Sequence, residues 1–149
     1  MIPRTLVSML VAVILFAASA AAQDTSRAGW MSDDAIRGEF TGHLLNGIYP
    51  SGSPWSEHLF GDGATDYREG TKRWRGQWWI ESRAFCFAYP EPGTGGCFRV
   101  VRLGQNCYEL YEATGLAGRG DDAPVGASLW NGRMWRADRP ATCDEKPTS

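Results

Sequence analysis

Histidine is nearly absent from this chain of 149 residues: only His43 and His58 occur. Nucleophilic catalysis needs a hydroxyl or thiol, a base and an orienting group, and so few bases leave little room for it. No G-x-S-x-G is present. Gly93-Thr94-Gly95-Gly96 is not a phosphate loop, because no Lys-Ser/Thr follows and a strand pattern does. The run Gly61–Tyr67 (G-D-G-A-T-D-Y) lacks the alternating oxygens and the distal Glu of a calcium loop, so it reads as a hairpin turn. C-x-x-C is missing, which removes the usual signature of zinc and thioredoxin-type sites. We therefore expect no metal and no cofactor. Basic runs are short: Lys72-Arg73-Arg75 is the one cluster in a chain of net charge −2, and it reads as a solvated strand edge, so nucleic acid is not an expected partner.

One long apolar run does exist, at the N-terminus. Arg4 precedes the apolar stretch Leu6–Ala18, and Ala20-Ala21-Ala22 offers an A-x-A cleavage site before Gln23. This is the pattern of a secretory signal peptide over residues 1–22, too short for a comfortable membrane span. Residues 23–149 then form a single domain, periplasmic or secreted, with no membrane span after cleavage. That segment holds four cysteines, Cys86, Cys97, Cys107 and Cys143. An even count in an exported chain implies disulfides, with three connectivities open. Strand register favours Cys86–Cys97 across a hairpin, which leaves Cys107–Cys143 to tie down the tail.

Helical periodicity is confined to Met31–Phe40, with Ser32 as N-cap and Asp33 and Asp34 complementing the helix dipole. Thereafter short alternating runs recur between Gly, Pro, Asn and Asp turns. They predict strands near 43–49, 55–60, 64–68, 73–81, 84–89, 97–103, 107–112, 125–130 and 133–137. Three hairpins set the expected register. A Ser82-Arg83 turn pairs Ile80 with Phe85 and Trp79 with Cys86, and the same pattern sets Phe85 opposite Phe98. Asp62-Gly63, read as a two-residue type I′ turn, pairs His58 with Tyr67 and Phe60 with Thr65. Asn131-Gly132, read likewise, pairs Leu129 with Met134 and Trp130 with Arg133. The fold class is mainly β: an antiparallel meander closing into a small, about eight-stranded barrel with one short N-terminal helix.

The aromatic residues carry the functional lead. Tyr67, Trp74, Trp78, Phe85, Phe87 and Tyr108 share the inner face in this register, and His58 lies near Tyr67. Arg102 pairs with Tyr108 around a Gly104-Gln105-Asn106 turn, with Leu103 opposite Cys107. Two readings stay open. The aromatics fill the core and Arg102 reaches solvent, or Trp74, Trp78, Tyr67, His58, Arg102 and Tyr108 bind a small apolar or anionic ligand, with Arg102 on its head group. His58 likewise reads as a hydrogen-bonded histidine near the barrel end or as a ligand contact. Trp79, Trp130 and Trp135 fall on the other face and would mark a protein-partner surface if exposed together. Paired-carboxylate hydrolysis also stays open, although its best candidates, Glu57 and Asp66, fall on the outer face.

The ordered motifs F-T-G (Phe40–Gly42), L-F-G-D-G-A-T (Leu59–Thr65), R-G-Q-W (Arg75–Trp78), F-C-F-A-Y, G-C-F-R-V-V-R and L-W-N-G cover most of residues 23–149. They resemble the D-G-T … G-x-W … C-x-x-Y … C-x-x-V signature of small secreted domains of unknown function from Gram-negative bacteria. The resemblance implies a lipocalin-like β-barrel and an extracytoplasmic compartment; it brings no catalytic residues. The expected function is that of an exported non-enzymatic binding protein for a small molecule or a cell-envelope partner. The alternatives are an envelope-acting hydrolase and a secreted protein inhibitor or assembly factor working through the loop Thr114–Pro124.

Overall fold

A computed structural model describes residues 29–92, 94–113 and 130–143. The expected signal peptide, the Thr114–Pro124 loop and the strand expected at 125–130, apart from Trp130, lie outside the described residues. Helix α1 (Asp33–Phe40) precedes eight strands: β1 (Leu44–Ile48), β2 (Pro54–Leu59), β3 (Ala64–Glu69), β4 (Lys72–Glu81), β5 (Ala84–Ala88), β6 (Gly95–Gly104), β7 (Cys107–Glu112) and β8 (Gly132–Arg136). Each strand pairs antiparallel with the next, and β8 pairs with β1 to close the barrel. Closure leaves β4 hydrogen-bonded on both sides, so Lys72, Arg73 and Arg75 are exposed but do not guard an edge.

The β4–β5 hairpin follows the expected register. Ile80 pairs with Phe85, Trp79 with Cys86 and Trp78 with Phe87. Ser82 and Arg83 both take positive φ, 50° and 63°, as a type I′ turn requires. Phe85 pairs with Phe98, and Cys86–Cys97 forms a disulfide on the outside of the barrel. Cys107–Cys143 is the second disulfide. The cap of α1 is also as read, with the Ser32 hydroxyl accepting from the Ala35 N–H.

Three registers differ from expectation. The β2–β3 loop has three residues, Gly61 to Gly63. Phe60 N–H donates to the Ala64 carbonyl, Gly63 N–H donates to the Phe60 carbonyl, and Gly63 sits at φ +87°. This is a turn followed by a left-handed glycine, and the extra residue shifts the pairing by one. His58 now pairs with Asp66, Leu59 with Thr65, and Glu57 with Tyr67. Asn131-Gly132 does not form a tight hairpin turn. Gly132 already belongs to β8, where Arg133 pairs with Glu109 and Ile48, and Met134 with Tyr108 and Gly47. Closing the barrel claims both sides of β8, so Trp130 is not the partner of Arg133, and Leu129 lies outside the described residues. Finally, Arg102 pairs with Tyr108 as expected, but Gly104 rather than Leu103 lies opposite Cys107, because Leu103 occupies a bulge.

The two ends of the barrel differ. At one end α1 sends Ile36 and Phe40 into the interior, both fully buried. Phe40 stacks on Phe85 at 5.5 Å and meets Tyr108 edge-on at 4.9 Å. Above them Glu39 gathers three guanidinium groups: Arg102 at 2.6 Å, Arg136 at 3.6 Å, and Arg139 in direct contact. Asn106, buried, holds the C-terminal tail across the same end. Its amide NH2 shares two protons among the carbonyls of Arg136, Arg139 and Pro140, at 3.0, 3.1 and 3.1 Å. On the outer face Trp30, Val101 and Tyr111 form a second small cluster, with Leu103 and Trp130 packed against it. Among the described residues no helix is long and apolar enough to cross a membrane.

Candidate functional site

Among the described residues the opposite end of the barrel is open. A cavity of about 420 Å3 runs down from it, walled by Tyr49, Trp55, Tyr67, Trp74, Phe87, Tyr89 and Phe98, with Glu57, Glu69 and Lys72 among its polar groups. Strand alternation supplies these side chains. Residues of one parity on each strand face inward, so β2 contributes Trp55 and Glu57, and β3 contributes Tyr67 and Glu69. Space for the largest ring comes from β1. Gly47 pairs with Trp55, and a Cβ at Gly47 would lie 2.2 Å from the indole. Only glycine admits the ring there.

The rings form a continuous wall. Trp55 and Tyr67 stack at 6.3 Å, Tyr67 and Trp74 at 5.5 Å, and Tyr67 lies 5.5 Å from Tyr89. Their hydroxyls join two short polar chains. The Tyr49 and Tyr67 hydroxyls are 2.6 Å apart, and Tyr67 donates onward to Glu69 at 3.1 Å. Deeper in, Glu57 is only 3 % exposed. Its Oε1 accepts from the Tyr89 hydroxyl and, at 2.9 Å, from Thr65. Thr65 has one proton for two acceptors, since the His58 carbonyl is also 2.9 Å away. Glu57 Oε2 has no hydrogen-bond partner among the described residues.

Burial dominates the protonation of these groups. It pushes the Glu57 carboxyl up to about 7, and the Tyr89 and Thr65 hydroxyls, which favour the ionised form, offset this only in part. Tyr89 is raised first by burial and then by the negative charge of Glu57. Tyr67 is raised by burial, then by Tyr49 and Glu69. Tyr49 is raised by burial as well. All three phenols therefore stay neutral donors, while Glu57 is poised to change charge near neutrality.

The residues expected to form one site are divided by this geometry. Tyr67 and Trp74 line the cavity. Trp78 is buried beyond it toward the helix, where its indole N–H donates 2.8 Å to the Phe60 carbonyl and its ring meets Phe85 edge-on. Tyr108 and Arg102 lie at the closed end. Arg102 covers the Tyr108 ring at 5.1 Å and is spent on Glu39, so it faces no ligand space. Glu39 is pulled up by burial, but the Tyr108 hydroxyl, Arg139 and Arg102 outweigh this and hold its carboxyl below the usual range. His58 points away from the cavity, stacked on Phe60 at 4.3 Å on the outer side. The shifted turn explains this, and the same shift brings Glu57 inside while Asp66 stays outside, paired with Arg75 at 3.2 Å. The three other tryptophans do not gather. Trp79 is exposed on β4, Trp135 sits across the barrel on β8, and Trp130 packs beside the Trp30 cluster under Arg133.

Glu57, expected on the outer face, lies inside, and Trp55 was not among the expected site residues. The signal was present in W-S-E-H-L: Trp55 and Leu59 share the parity of Glu57, so an apolar face through Trp55 and Leu59 has to take Glu57 with it. Among the described residues no group of three or more His, Cys, Asp or Glu side chains is placed to hold a metal ion. The chain matches no protein-family model and no curated sequence. What stands of the resemblance is therefore the eight-stranded antiparallel barrel itself.

Proposed function

We propose that the protein is an exported binding protein that holds a small molecule in the open half of its barrel. The observation that carries this is the aromatic-walled cavity of about 420 Å3 beside a filled, helix-closed half. Ligand sites span roughly 300–1,000 Å3 and combine apolar walls with a few placed polar groups. Eight-stranded barrels are just wide enough to hold one small ligand, which is the lipocalin-like mode that the sequence resemblance implies. Export is supported by the N-terminal apolar run and by two disulfides, which persist in oxidising compartments. The test is native mass spectrometry of protein isolated from the cell envelope of its own host. A stoichiometric small-molecule adduct, lost when Trp55 or Trp74 is replaced by Ala, is the expected result. Protein that carries no adduct and takes up none from an envelope extract would refute the reading. One observation favours a second reading: a carboxyl poised near neutrality suits general acid–base catalysis. A hydrolase would return a cleaved molecule from the extract, whereas a binding protein returns it unchanged.

A further inference from the structure

The polar groups of the cavity select among small molecules. Among the described residues two carboxylates face it, Glu57 at depth and Glu69 higher up, against one ammonium, Lys72, which is exposed at the rim. Lys72 Nζ already lies 5.4 Å from the centre of the Trp74 ring, so a cation of the chain itself sits on this wall. Ring faces carry negative potential and attract cations within about 6 Å. Glu57 adds a carboxylate with one oxygen unpartnered, in a side chain buried from bulk solvent. An anion entering here meets Glu57 and Glu69. A neutral apolar molecule leaves an ionised Glu57 desolvated with its Oε2 unpaired, which is costly. A cation with an apolar body satisfies both the rings and the carboxylate.

We propose that the cavity takes an organic ammonium ion, its charged nitrogen against Glu57 Oε2 and its apolar body against Trp55, Tyr67 and Trp74. This rests on the reading of the open half as a ligand site and names the ligand class. It replaces the apolar or anionic ligand expected from Arg102, which lies at the other end. Binding is linked to protons. The groups facing Glu57 are Thr65, Tyr67 and Glu69 from β3, Tyr89 after β5, Tyr49 after β1 and Lys72 from β4. The three phenols remain neutral, and Glu57 is the group that changes charge near pH 7. Protonated Glu57 offers the cation no counter-charge, so affinity falls as pH drops.

Three probes of similar size test this: benzyltrimethylammonium, its uncharged carbon analogue neopentylbenzene, and phenylacetate. Tryptophan fluorescence and calorimetry read their binding. The first probe carries a permanent charge, so only the protein titrates. We expect the cation to bind at least about tenfold more tightly than the neutral analogue at a pH of about 8. Its Kd should weaken about 30-fold by a pH of about 5.5, while the neutral probe binds at least as tightly there as at a pH of about 8. Glu57→Gln should remove both the preference and the slope yet keep neopentylbenzene binding. If that variant fails to fold, the pH profile of the unaltered protein decides. Neutral or anionic probe binding as tight as the cation, or cation binding independent of pH, overturns the ammonium assignment and leaves the small-molecule reading standing. No saturable binding by any probe overturns both.

Discussion

Replacing Glu57 by Gln removes an unfavourable charge from the barrel interior, and the effect on stability has a definite sign. In the folded protein the carboxyl titrates near 7 instead of its ordinary 4.5. A raised folded-state pKa means that the stability contributed by the protonated carboxyl is fully present below the unfolded value. It is lost as pH rises through the folded value. A displacement of this size corresponds to roughly 3 kcal/mol. Gln keeps the shape and the carbonyl oxygen that Tyr89 and Thr65 use, and it does not ionise. The variant should therefore match the unaltered protein near pH 4 and exceed it by about 3 kcal/mol near pH 8. For a domain of this length that is a rise of roughly 10 °C in Tm. Urea unfolding of both proteins, followed by tryptophan fluorescence at several pH values, isolates Glu57 because every other titrating group is common to the two. A variant no more stable near pH 8, or a gap that does not change with pH, would refute the reasoning. Such a cost fits the binding role proposed for Glu57, because functional sites trade stability for activity.

Glu39 should behave in the opposite sense. Its lowered pKa supplies stability that is present at neutral pH and lost as pH falls through the folded value. Glu39→Gln should cost roughly 1 kcal/mol at neutral pH, discounted for the partly exposed guanidinium groups. That gap should close in acid, and benzyltrimethylammonium titration should give an unchanged Kd. Trp78→Ala removes a buried ring and its hydrogen bond to Phe60, and should cost about 3–5 kcal/mol by chemical denaturation; melting like the unaltered protein would contradict the packing described. Gly47→Ala puts a Cβ 2.2 Å from the Trp55 indole and must displace it. Stability should fall by about 1–3 kcal/mol, and fluorescence titration should show neopentylbenzene binding weakened by at least about tenfold.

Features set by neighbouring residues were legible in the sequence. Ser32 capping α1, the Ser82-Arg83 turn and the Cys86–Cys97 pairing each depend on a few adjacent positions, and all appear as read. Asp62-Gly63 was not legible because the dipeptide suits both a two-residue turn and the last two places of a three-residue one. Of the two residues only Gly63 takes positive φ, where a type I′ turn needs it at Asp62 as well, and the resulting three-residue loop turns Glu57 rather than His58 inward. Asn131-Gly132 failed for a non-local reason. β8 is claimed by β1 and β7, and barrel closure overrides local turn preference. Arg102 and Tyr108 were paired correctly, yet nothing local indicated that Ile36 and Phe40 would enter the barrel at their end and leave the cavity at the other.

The inward turn of α1 has a further consequence. With Ile36 and Phe40 seated in one end, the described barrel is, for the ligand proposed above, a vessel and not a conduit. Whatever occupies it must leave by the mouth through which it came, and a newcomer has to wait for that departure. Exchange is then governed by the residence time of the occupant, and a load can be stored or handed over but never passed through.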